Sequence, residues 1–185
     1  MVGLLTWPAY GSWFPCIRRG WIDQNPDGDL QSPPEPTRSS FDRKERLKWP
    51  PVRLDERQQA VVIGDLARVS SLRHFEPHLV VAGPDHVHVL LSCAPDRDVP
   101  RMVQLIKGAL SRTLTVAAGD ETAKSTRGRD LVHHKWWTRQ YSFRWIEDGP
   151  TLQRVVQALR AHADGNATVW EAPGAAAGMF ADMGE

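Results

Sequence analysis

Two histidines separated by one residue, His86 and His88 in the run Gly83-Pro84-Asp85-His86-Val87-His88-Val89-Leu90-Leu91-Ser92, are the side chains best placed to do chemistry. Past the turn-forming Gly-Pro-Asp the run reads as a β-strand, and side chains two apart on a strand share a face. Both imidazoles therefore project together, with Val87, Val89 and Leu91 on the other side. Two convergent imidazoles are part of a divalent-metal site; they are equally the pattern of two solvated histidines, and spacing alone does not choose.

A second set of residues suits anions. Residues 101 to 145 hold nine Lys or Arg against three Asp or Glu, while the segments on either side are net acidic. Within that stretch Trp136, Trp137, Tyr141, Phe143 and Trp145 alternate with Lys135, Arg139 and Arg144. Aromatic faces beside cations fit unpaired bases and phosphates, and an ordinary strand with inward-packed aromatics gives the same pattern.

These residues need a scaffold. Residues 3 to 14 read as a first strand turning at Pro8 and Gly11, and 24–51, rich in Pro, Ser, Asp and Arg, as a long loop. Helical spacing starts at Asp55, with Ala60, Val61, Val62 or Ile63, and Leu66 as its apolar stripe. A strand from about Arg73 to Ala82 turns at Gly83-Pro84-Asp85 into the histidine strand, forming a hairpin. Asp98 caps a second helix with Met102, Leu105, Ile106, Ala109, Thr113 and Leu114 on one stripe, and Lys107 and Arg112 off it. A polar loop from Gly119 to Asp130, an extended segment from His133 to Ile146 and a third helix from Thr151 to Ala163 complete the order. It predicts an α+β, ferredoxin-like (RRM-like) antiparallel sheet with helices on one face: one domain over 1–170, followed by a flexible tail at 171–185.

With 185 residues, 41% of them hydrophobic, the chain can build one core. No apolar run is long enough to span a bilayer and no signal-peptide pattern opens the chain, so a soluble, cytoplasmic protein without membrane contacts is expected. Cys16 and Cys93 have neither metal-site spacing nor a disulfide framework.

Several segments in order resemble the HUH-class single-strand DNA transposases, of the IS200-like and REP-associated tyrosine transposase kind. They are Leu5-Thr6-Trp7 through Tyr10-Gly11-Ser12-Trp13, Arg19-Gly20-Trp21, Pro84 to Leu90, Leu105-Ile106-Lys107-Gly108, and Trp136-Trp137-Thr138-Arg139 through Arg144-Trp145. The resemblance implies a homodimer acting on single-stranded or hairpin DNA, with two histidines and a third polar ligand holding Mg or Mn. It also implies a tyrosine on the last helix that attacks phosphorus, four residues before the third ligand. Aligned this way, Ala158 stands at the tyrosine position and His162 at the third ligand. Three imidazoles, His86, His88 and His162, would also suit Zn, Ni or Co. The chain's two tyrosines are Tyr10 and Tyr141, and Tyr141 is the candidate substitute nucleophile.

Three functions follow as expectations. The first is a DNA binder defective in tyrosine-mediated cleavage and joining, with Lys107, Arg112, Arg139 and Arg144 on phosphates and Trp136 or Trp137 under bases. The second is a metal-dependent nuclease or transposase that uses water or another tyrosine. The third is a non-catalytic protein-interaction module, for which eight tryptophans could furnish surface.

Overall fold

The computed structural model describes residues 1–12, 47, 49–119, 135–162 and 166–173. Expectations for Cys16, Arg19-Gly20-Trp21, most of the 24–51 loop, the 120–130 loop, His133 and most of the tail lie outside them.

The elements are β1 (Val2–Pro8), α1 (Glu56–Arg73), β2 (Glu76–Ala82), β3 (His86–Ser92), α2 (Val99–Ala117), β4 (Ser142–Ile146), α3 (Gly149–His162) and β5 (Thr168–Glu171). The sheet runs β4-β1-β3-β2-β5 and every pairing is antiparallel. Its first four strands with α1 and α2 make the ferredoxin-like βαββαβ unit.

Local chemistry explains the helix starts. The Asp55 carboxylate accepts from Gln58 N while Gln58 Oε1 accepts from Asp55 N, a reciprocal cap that satisfies two donors at the head of α1. Asp98 accepts from Arg101 N to start α2, and Asp148 accepts from both Thr151 N and Thr151 Oγ1 at the head of α3. Gly83 N donates to His86 O at 2.9 Å and closes the β2–β3 hairpin.

Both faces of the sheet are covered. Leu5, Trp7, Val80, Ala82, Val87, Val89 and Leu91 pack with α1 through Val62, Leu66 and Val69, and with α2 through Met102, Ile106, Leu110 and Leu114. On the other face Leu4, Leu79, Val81 and Leu90 pack with Leu152, Val155, Val156 and Leu159 of α3. The fold class is the expected one, with a correction to its layering: α1 and α2 share one face, and α3 covers the opposite one. The alternation of His86 and His88 with valines makes that second face read as open, whereas Leu79, Val81 and Leu90 give α3 an apolar seat.

Three boundaries also differ. The extended segment ending at Ile146 enters the sheet only at Ser142; among its described residues upstream, an isolated bridge from Trp137 to Ala9 and a hydrogen bond from Thr138 N to Pro8 O join it to the end of β1. The α1 stripe is Val62, Leu66 and Val69, and Ala60 is exposed. β5 is a strand that periodicity does not announce, four residues on an edge, and it carries the domain past residue 170: Glu171 lies within it and Ala172 N donates to His78 O. At Gly3 a Cβ would lie 2.5 Å from the Phe143 ring crossing it from β4, so a larger residue there would have to displace that ring. Among the described residues no helix is long and apolar enough to cross a membrane.

Candidate metal centre and nucleic-acid interface

The register that buries Leu4 against Leu90 also sets Thr6 opposite His88 and Pro8 opposite His86, so both histidines project toward α3. The last residue of α3 is His162. Ring centroids lie 4.6 Å apart for His86 and His88, 4.9 Å for His86 and His162, and 5.4 Å for His88 and His162. One ligating nitrogen from each falls within 4.8 Å of the others.

Two of the rings are oriented by neighbours that ring spacing did not single out. His86 Nδ1 lies 2.6 Å from Asp85 Oδ1, so an Nδ1–H donated to the carboxylate leaves the Nε2 lone pair for a ligand. His88 Nδ1 lies 2.8 Å from Thr6 Oγ1. Asp85 was visible beside His86 in the sequence; Thr6 could be found only from strand register. Gly83 gives the first ring its room, since a Cβ there would come within 3.2 Å of His86 Cε1.

The electrostatics favour the neutral form at His88 and His162. Burial holds His88 well below the ordinary imidazole range, and His86 and His162 beside it add to the effect. His162 is lowered by partial burial and by His86, with Asp85 opposing. The Asp85 carboxyl is held down chiefly by its bond to His86. Neutral imidazoles keep the lone pair a metal needs.

Does this donor set fit a divalent ion? Two nitrogens each about 2.1 Å from a common ion are at most about 4.2 Å apart. The spread of up to 4.8 Å therefore requires the nitrogens to draw closer, a movement for which exposed His162 at a helix end has room. Two oriented, buried rings and one adjustable ring fit the ion.

Residue 158, an alanine, lies on α3 one turn before His162 and is half-buried. Tyr141 packs with the core cluster of the α1 and α2 side, across the sheet from the triad. Tyr10 lies under Lys135, whose Nζ is 4.8 Å from its ring centroid.

The expected nucleic-acid residues divide. Arg112 and Arg139 are exposed, and Arg144 is half-buried on the triad's face, opposite Leu4 in register. Lys107, expected to point outward, is buried and donates to Thr138 O at 2.6 Å and Gln140 O at 3.1 Å. Trp136 and Trp137, expected under bases, are both buried: Trp136 Nε1 donates to Thr115 Oγ1, and Trp137 meets Trp7 edge-on at 6.0 Å. The reason is common to all three. The 135–141 segment crosses between β1 and α2 outside the sheet ladder, so strand alternation does not govern it and Lys107 satisfies the carbonyls that pairing would have used.

A family model described as "Transposase IS200 like" matches residues 63–158, more than half the chain, taking in both strand histidines and ending at Ala158. No curated protein matches. Among solved structures, a candidate transposase from Deinococcus radiodurans R1 is similar at 15% identity, over 87% of this chain and 89% of that one, with a TM-score of 0.43. A REP-associated tyrosine transposase bound to a REP hairpin is similar at 13% identity, over 89% of this chain and 68% of that one, with a TM-score of 0.42. The chain belongs to the IS200-like transposase family.

Proposed function

We propose that this protein binds single-stranded or hairpin DNA as a homodimer, holds a divalent ion with His86, His88 and His162, and lacks the nucleophile for tyrosine-mediated strand cleavage and joining. The observation that carries the reading is the meeting of three imidazoles at the junction of β3 and α3, one turn from an alanine. An ion there would supply a Lewis acid beside a phosphodiester.

The remaining roles belong to the chain's own side chains. Asp85 and Thr6 hold the tautomers that present ring nitrogens to the ion. Arg144 stands on the same sheet face for a backbone phosphate, with exposed Arg112 and Arg139 adding sequence-independent attraction. At residue 158 a methyl group replaces the phenol that the family uses to take over the phosphoryl group, so no covalent protein–DNA joint forms there. Trp136 and Trp137 are buried, which leaves them little surface for stacking and weakens the case for a tryptophan-faced protein-interaction module.

The test is a denaturing gel of hairpin DNA incubated with protein and Mn. Wild type should give no DNA-linked protein band, and Ala158→Tyr should gain one that disappears with His86→Ala. An adduct with wild type would overturn the loss of the nucleophile; free-ended cleavage without adduct would mean that water attacks instead. Equilibrium dialysis that finds no bound Mn, Zn or Co would remove the metal site.

A further inference from the structure

On the sheet face away from the histidines, a cleft of about 610 Å³ opens between α2 and the 135–141 segment. Lys107, Lys135 and Arg139 line it, and the Arg112 guanidinium lies 3.7 Å from where a Cβ on Gly108, a wall residue, would stand. Among its described lining residues there is no Asp or Glu. Four cations thus gather around a hollow whose described walls hold no carboxylate.

This charge is felt inside the protein. Lys107 is lowered to about 8, first by burial and then by Lys135. Its ammonium gives two hydrogen bonds to the carbonyls of Thr138 and Gln140, which leaves one of its three N–H groups for a ligand oxygen. Cations repel a metal from such a place and draw an anion. Half-buried Tyr141 and Trp49 on the walls add flat apolar surface, which a bare inorganic anion would not use and a base would. The volume lies within the roughly 300–1,000 Å³ of small-molecule sites.

We propose that this cleft holds an unpaired nucleotide of the bound DNA strand, its base against Tyr141 and Trp49 and its flanking phosphates on Lys135, Arg139 and Arg112. The assignment rests on the DNA-binding reading above, but needs neither metal nor histidines. It separates strand capture from the triad by the thickness of the sheet.

The experiment measures fluorescence anisotropy of a labelled oligothymidylate of roughly ten nucleotides, in chelator, with circular dichroism to confirm that each variant folds. Wild type should bind with affinity that falls steeply as salt rises. Lys135→Glu combined with Arg139→Glu should weaken binding at least tenfold, and Tyr141→Leu about tenfold, while Tyr141→Phe binds as wild type. Cleft variants that bind as tightly as wild type would overturn the cleft alone, as would a loss confined to Arg144→Glu, which would put the strand on the triad's face. Polyglutamate binding as well as the oligonucleotide would make the cleft a site for an acidic partner instead. Wild type that binds no single strand at any salt would overturn the DNA reading and the cleft together.

Discussion

The histidine face and the 135–141 segment respond to the same rule in opposite ways. On β3, strand alternation holds, and residues two apart meet at one point with α3 above them. Along 135–141 the chain leaves the ladder, consecutive tryptophans both turn inward, and a lysine is drawn down to cap carbonyls. Residue type suggests chemistry in both places; only where regular backbone fixes direction does it also give geometry.

The sharpest way to break this contrast is to truncate a buried ring. Trp137→Ala should cost about 3–5 kcal/mol by denaturant unfolding, as loss of a core aromatic does. An effect below about 1 kcal/mol would mean that the ring is available to ligands after all. The second test concerns Gln59, which is buried in α1: its Nε2 donates to Leu54 O and Asn166 O, and its Oε1 accepts from Thr168 N and Oγ1. Leu54 N in turn donates to Pro84 O, next to Asp85. Gln59→Leu strands several of these groups and should destabilise by about 2–3 kcal/mol. It should also lower metal affinity, because the linkage ties the start of β5, just beyond His162, to the turn that precedes His86.

A milder test addresses the oriented rings. Asp85→Asn should weaken Zn or Co binding by about 10- to 100-fold, measured by competition with a chromophoric chelator, with the fold intact. Unchanged affinity would remove the carboxylate from any orienting role. The smallest effect is on pH dependence without metal. His88, His162 and, chiefly through burial, His78 all titrate below the ordinary imidazole value when folded. The unfolded chain therefore takes up protons first as pH drops through about 6.5. Stability should be full above that pH and decline toward pH 5, read as a falling thermal midpoint in chelator. His88→Ala should flatten that slope, and a midpoint independent of pH over this window would contradict neutral, buried rings.

Much of the architecture could be read from local signals. Asp55, Asp98 and the Gly83-Pro84-Asp85 turn mark element starts through chemistry confined to a few residues, and Leu152, Val155, Val156 and Leu159 mark one face of α3. The side of the sheet that α3 covers was not legible, because it depends on which strands become neighbours. β5 has four residues and an edge position, too little for periodicity to register. In the site, His86 and His88 followed from spacing and His162 from a family pattern. Thr6 and Gln59 act across more than 80 residues of sequence, where no local pattern reaches.

The placing of the three imidazoles has a mechanical consequence. Two ride on β3 and the third on the final residue of α3, so a shared ion would staple α3 to the sheet as a covalent cross-link would, closing the intervening chain into a loop. Amide exchange in α3 should then slow on loading, while α1 and α2, layered on the far side, keep their own rates.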